Sequence, residues 1–352
     1  MTGVRARGED IRRFILQHLG THPADIAKFA SEHFKITRQA VGTHLRRLAK
    51  EKAITASGET RKRTYELAAL SEWRKVYSIG QGPAEDVVWR EDVEPMFTEM
   101  PDNVQRIWHF GFTEMFNNAI DHSGGSGILV TVRHTAVNTT ILITDDGVGI
   151  FKKIKESLQL PDERTAVLEL AKGKVTTDPK NHTGQGIFFT SRLFDHFDIY
   201  AGDVYFTHDF ASDLDWITES PTQFEVGTSV RMELSNHTAR TPKKIFDKYS
   251  SGDDYGFTKT VVPVELARYG NENLVSRSQA KRLLARVDLF KTVLFDFKGV
   301  PSIGQAFADE VFRVFQLRHP DIELVAIHAN SEVKRMITRA LSELPLSLRK
   351  RE

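Results

Sequence analysis

A chain of 352 residues is long for one domain and comfortable for two or three, each large enough to bury a core. Its 27% charged and 40% hydrophobic residues are ordinary for globular protein, and no apolar run is long enough to cross a bilayer, so no membrane contact is expected. The absence of cysteine excludes a disulfide framework and thiolate metal sites, and the start, "MTGVRARGEDIRR", has neither the apolar core nor the cleavage site of a secretory signal, which makes the cytoplasm the expected location.

The net charge of +1 hides an asymmetry: residues 1 to 64 carry 14 Lys and Arg against 6 Asp and Glu, and the remaining 288 carry 34 against 41. Such a basic block points to an acidic partner such as nucleic acid, set against a merely basic solvated surface. Within it, Ile11, Phe14, Ile15 and Leu19 fall at helical spacing, and Ile26, Phe29 and Ala30 repeat the pattern. A third helix follows in "TRQAVGTHLRRLAKEKAI", with Thr37 as N-cap and Val41, Leu45 and Leu48 inward. That leaves Arg38, Gln39, Thr43 and Arg46 on its outer side. "ITASGETRKRTYELA" then reads as two short strands around a Gly-containing turn, with Arg61, Lys62 and Arg63 at or beside the tip.

Residues 8 to 70 thus resemble the winged helix-turn-helix family. The resemblance implies that the second helix of the pair enters the major groove of double-stranded DNA and that wing cations touch phosphate. The alternative is a winged helix used for protein contacts. Residues 71 to 100 lack clear periodicity and are read as a connector, packed against its neighbours because Trp73, Tyr77, Val87, Val88 and Trp89 favour burial.

In "FTEMFNNAIDHSGG", Glu114, Asn118 and His122 occupy successive i, i+4 positions, so their side chains lie in one row on one helix face. Three glycine-containing signals follow. The strand pattern "NTTILITDDGVGI" runs into Asp145, Asp146, Gly147 and Gly149; "NHTGQGIFFTSRLFD" is a glycine pair opening a helix; "FEVGTSVRMEL" is a Gly-Thr beginning a strand. Each alone is weak, since Asp-Gly and Gly-x-Gly are most often turns. No Gly-x-x-x-x-Gly-Lys-Ser/Thr occurs, and "GVGIFK" lacks the third glycine of a dinucleotide fingerprint.

In this order and spacing the four signals resemble the boxes of the GHKL superfamily, the Bergerat-fold ATP-binding domains, and are most similar to the anti-sigma-factor-kinase branch. The resemblance implies ATP and Mg²⁺ as cofactors. Asn118 would offer its carbonyl oxygen to the hard cation, and Glu114, one turn earlier, would take a proton from an attacking water or hydroxyl. Asp145 would accept from the adenine amino group, Gly147 and Gly149 would let backbone approach the nucleotide, Gly184 and Gly186 would present backbone N–H groups to phosphate, and Thr228 would offer a hydroxyl near the adenine. His122 is as readily a capping or packing residue. The polar run 151 to 184 resembles the family's lid, with Lys172 and Lys174 read as solvated. The upstream phosphoacceptor-histidine hairpin of sensor kinases is absent, its place taken by the basic module and connector.

After the polar stretch "TARTPKKIFDKYSSGDDYG", a helix around Ala280, Leu283, Leu284 and Val287 precedes strand "KTVLFDFKGV", helix "SIGQAFADEVFRVFQL", strand "IELVAIHA" and helix "SEVKRMITRAL". This alternation predicts a small α/β layer. It resembles STAS-like domains related to anti-sigma-factor antagonists. Gly304, Gln305 and Ala306 stand where antagonists carry a phosphorylatable serine; Ser302 nearby is read as a helix cap, and Asp309, Glu310 and Arg313 as a solvated or interfacial face.

The expected fold is multidomain α/β: winged helix (1–70), connector (71–100), Bergerat α/β sandwich with a mixed sheet and helices on one face (101–236), linker (237–258) and STAS-like domain (259–352). The expected function is an ATP-binding, ATP-hydrolysing DNA-binding regulator, homodimeric, with a protein partner at the STAS-like domain. The alternative is a serine protein kinase of the anti-sigma-factor type, acting on its own or a partner STAS-like domain.

Overall fold

The computed structural model describes residues 2–59, 62–176, 183–212, 214–250, 256–268 and 272–344. The chain divides into two compact units: Met1–Lys75 with Val130–Ile141 and Glu233–Thr238, and Val76–Leu129 with Leu142–Met232 and Ala239–Glu352.

The first unit opens with three helices, α1 (Thr2–His18), α2 (Ile26–Phe34) and α3 (Arg38–Lys50), followed by the antiparallel pair β1 (Ile54–Ser57) and β2 (Thr64–Leu67). α2 stops where Lys35 adopts a left-handed φ of 52°. α3 starts two residues later, because the Thr37 hydroxyl accepts from the Ala40 N–H at 3.2 Å. The apolar positions at helical spacing, from Ile11 and Ile15 through Ala30 to Val41, Leu45 and Leu48, close one buried core with Ile54 of β1. Burying each large aliphatic side chain of that core contributes about 1.5–3 kcal/mol.

A five-stranded sheet follows, in the order β3-β4-β5-β7-β6, with β3 (Ser71–Ser78), β4 (Gly127–His134), β5 (Asn138–Asp145), β6 (His196–Asp209) and β7 (Leu214–Ser235). β4 and β5 alternate buried and half-buried residues, as strands packed on one face do. Between the strands come α4 (Glu85–Val88), α5 (Asp102–His122), α6 (Ile150–Ser157), α7 (Glu163–Lys172) and α8 (Gly186–Leu193). α5 buries Val104, Ile107, Trp108, Phe112, Met115 and Phe116. Gly111 admits the Phe194 ring, which lies 4.7 Å from that of Trp108, and a Cβ there would overlap it.

Beyond α9 (Pro242–Tyr249), three parallel strands in the order β10-β9-β8 form a separate sheet: β8 (Lys259–Pro263), β9 (Thr292–Asp296) and β10 (Glu323–Ile327). They alternate with α10 (Arg277–Leu284), α11 (Gln305–Asp309), α12 (Phe315–Arg318) and α13 (Ser331–Ser342). Ser276 and Gln279 form a capping box on α10, and Asn330 caps α13.

Several expectations are corrected. The connector begins as β3, an edge strand whose sides are largely solvated and therefore lack clean alternation; Tyr77, Val88 and Trp89 are buried, and Trp73 and Val87 half-buried. The linker contains α9, where Thr241 caps the Lys244 N–H, Pro242 takes the first turn, and Ile245 and Tyr249 are buried. Gly227 and Thr228 lie inside β7 rather than at its start. The N-cap of α11 is Gly304, so Ser302 caps no helix. Asp309 and Glu310 are buried, and Arg313 is folded back onto Asp309.

Candidate functional site

The half-buried row Glu114, Asn118 and His122 of α5 borders a cavity of about 260 Å³. Asp145 at the end of β5, Thr228 of β7, and Gly184 and Gly186 at the start of α8 line the same space. Residues from four separated segments therefore meet at one place. α5 supplies the row because its apolar side is buried, which leaves the polar positions at the edge facing the cavity.

Asp145 is 7% exposed, and its Oδ1 accepts from the Gly147 N–H at 2.9 Å and the Thr228 N–H at 3.2 Å. Burial pushes its carboxyl up, while these donors and the Thr228 hydroxyl oppose the shift. The next residue does different work. Asp146 is exposed and accepts from the Ser126 hydroxyl and N–H, each at 2.6 Å, and from the Gly127 N–H at 2.9 Å. These bonds hold its carboxyl at about 2.

The glycines act mainly on the chain itself. A Cβ at Gly147 would fall onto the Ser123 carbonyl, and Gly149 holds φ +86°. Neither is among the residues that line the cavity. Gly184, at φ +68°, packs on the Val175 backbone, and a Cβ at Gly186 would overlap the Glu114 carboxylate. Glu114 therefore sits against the beginning of α8. The Thr228 hydroxyl accepts from the Ile150 N–H at 2.9 Å, tying β7 to the first turn of α6.

Asn118 Nδ2 is buried beside the cavity with no hydrogen-bond partner among the described residues. An orphaned amide costs about 1–3 kcal/mol unless a ligand meets it, so donor chemistry and cavity fit a polar ligand. Among the described residues no group of three or more His, Asp or Glu could hold a metal. A cation at Asn118 would depend on oxygens carried by its co-ligand.

Sequence reasoning missed Lys153 of α6, which lines the cavity and donates to the His122 carbonyl at 2.5 Å. It also missed Leu170, Val175 and Thr176. Lys153 follows the buried Phe151 in an amphipathic turn, a faint signal inside a polar run. Lys172 is not solvated but 1% exposed, and Lys174 is half-buried; both ammonium groups bond to the C-terminal part of the chain.

In the basic module Arg38, Gln39, Thr43 and Arg46 are exposed on α3, and Arg46 Nη2 donates to the Thr43 hydroxyl at 3.2 Å. Lys62 and Arg63 are exposed beside β2, with the Arg63 guanidinium 5.6 Å from the Tyr65 ring centre. Arg61 lies outside the described residues.

Residues 279–334 match a known family described as a STAS-like domain of unknown function (DUF4325). The C-terminal part of this multidomain α/β chain therefore carries a STAS-like domain. Neither a curated protein nor a solved structure matches the chain. Among the described residues no helix is long and apolar enough to cross a membrane.

Proposed function

We propose that this protein is a DNA-binding regulator whose central module binds ATP and Mg²⁺ in the GHKL, Bergerat-fold manner and hydrolyses the nucleotide, with a winged helix at its N-terminus. The observation that carries the reading is the meeting of Glu114, Asn118, Asp145, Gly184, Gly186 and Thr228 on one cavity, with a buried carboxylate and an unpartnered buried amide.

The bound nucleotide and its cation supply a transferable phosphoryl group and charge neutralisation. Asp145 would read the base as an acceptor, Asn118 would offer its amide oxygen to the cation and its Nδ2 donor to the ligand's oxygens, and Gly184 and Gly186 would present backbone N–H groups where α8 begins. Glu114 takes the proton of the attacking water. The exposed Arg38, Gln39, Thr43 and Arg46 read base edges, while Arg61, Lys62 and Arg63 meet phosphates.

Incubating the protein with γ-labelled ATP and Mg²⁺ tests the reading. Labelled free phosphate is expected. Label retained on a serine would replace hydrolysis by the kinase reading, which lacks a hydroxyl at Gly304, Gln305 and Ala306. Absence of ATP binding in calorimetry would sink both.

A further inference from the structure

Every residue of α7 from Thr165 to Lys172 is buried, the charged Glu169 and Lys172 included. The Lys172 ammonium lies 2.6 Å from Glu169 Oε1 and donates to the carbonyls of Ala285 at 2.8 Å and Arg282 at 3.2 Å. These carbonyls lie at the C-terminal end of α10 in the STAS-like domain, where the Arg282 carbonyl also accepts from the Ala285 N–H at 3.4 Å. Three acceptors thus satisfy the three N–H groups of the ammonium, and its charge sits at the negative end of a helix. Burial pushes Glu169 up and Lys172 down, and the two charges hold each other against it.

The contacts continue along the backbone. The Lys172 carbonyl accepts from the Thr260 hydroxyl of β8 at 2.6 Å. Lys174 Nζ donates to the Leu289 carbonyl at 2.7 Å and lies 4.6 Å from the centre of the Phe290 ring, and the Lys174 carbonyl accepts from Arg286 Nη2 at 2.7 Å. Gly173 between them holds φ +83°, and a Cβ there would press on the rings of Phe257 and Phe188. Leu170, Val175 and Thr176 of the same short run line the cavity. One stretch of seven residues thus serves the cavity with some positions and the STAS-like domain with the others.

We propose that the STAS-like domain acts in this chain as the anchor of the nucleotide lid, seating residues 172 to 174 on residues 282 to 290 so that ATP occupancy and the C-terminal domain are coupled. This rests on the ATP reading above. A ligand that displaces or orders Val175 and Thr176 must loosen or tighten the bonds one and three residues away. Those bonds are discrete, because freeing Lys172 leaves the buried Glu169 with only the more distant Arg286 guanidinium, whose Nε stands 3.7 Å from its Oε2. Coupling of this kind is reciprocal, so a ligand of the STAS-like domain that loosens or tightens these bonds also alters ATP affinity.

The test is hydrogen exchange on the full chain with and without ATP and Mg²⁺, beside calorimetric ATP titration. ATP is expected to slow exchange across residues 282 to 290. In the double variant Lys174→Ala, Arg286→Ala, built on half-buried side chains, that protection should be lost and ATP should bind about 5- to 30-fold more weakly. Thr260→Val, which removes only the hydroxyl bond to Lys172, serves if the double variant misfolds and should lose part of the protection. ATP binding that leaves exchange at 282 to 290 unchanged overturns the anchor and spares the ATP reading. Protection that survives in the variants overturns it too, and failure of the native chain to bind ATP overturns both.

Discussion

The Thr228 N–H donates to the Asp145 carboxylate at 3.2 Å from 83 residues further along the chain, and the Thr228 hydroxyl accepts from the Ile150 N–H. One threonine therefore ties the end of β5, the middle of β7 and the first turn of α6. Gly227 makes the approach possible: at φ +84° a Cβ would fall onto the Asp145 carbonyl. The Gly147 and Thr228 N–H groups together orient the Asp145 carboxylate.

Asp145→Asn should keep that lock, since an amide oxygen can accept the same two N–H bonds, yet lose the charged acceptor. A hydrogen bond to a charged group contributes about 1.5–3 kcal/mol, so ATP affinity should fall roughly 10- to 150-fold, with DNA affinity unchanged. Calorimetric titration reads the first and fluorescence anisotropy the second. Unaltered ATP affinity would remove Asp145 from the site.

Glu114→Gln preserves the volume that Gly186 accommodates and removes the base. Phosphate release should drop by about 10²- to 10⁴-fold while ATP affinity stays within a few-fold. Release at the native rate would make Glu114 a packing residue only.

Asp146 gives a pH signature. Its folded carboxyl titrates at about 2, below the ordinary carboxylate value near 3.9, so its contribution is fully present above about pH 4 and disappears as pH falls through about 2. Urea unfolding of the native chain and Asp146→Asn should differ at pH 5 and converge towards pH 2. A difference that does not vary with pH would show that the Ser126 and Gly127 bonds do not depend on the charge.

On the basic module, Lys62→Ala with Arg63→Ala should weaken binding to every duplex and lower the log-log salt slope by about one per lost phosphate contact. Arg38→Ala or Gln39→Ala should instead reduce discrimination between a selected site and random DNA, by roughly 1–3 kcal/mol per base contact. Titrating the full chain at several salt concentrations separates the two. No salt-dependent affinity for any duplex would leave the module as a protein-contact surface.

Local pattern was sufficient where a structural period is a property of neighbouring positions. The helical spacing around Val41, Leu45 and Leu48 announced α3 with its Thr37 cap, and the i, i+4 row of Glu114, Asn118 and His122 announced one helix face, all three residues of which border the cavity. The alternation before Asp145 marked β5, and strand-helix alternation marked the α/β layer of the C-terminal part. Strand β8 escaped notice because five residues, one of them proline, carry too short a pattern.

The tertiary structure decided what depends on distant partners. "DD" does not say that Asp145 turns inward onto Thr228 while Asp146 turns back onto Ser126; the difference lies in which N–H groups the fold brings within reach. "GVG" does not say that Gly147 is needed for the Ser123 backbone, since that carbonyl comes from the far end of α5. Lys172 is the plainest case. In sequence it is one lysine in a polar run, which reads as solvated, but its burial is set by carbonyls 110 and 113 residues away. A charged side chain is buried only where the fold supplies its acceptors, and acceptors brought together by chain folding leave no periodic trace at the residue they capture.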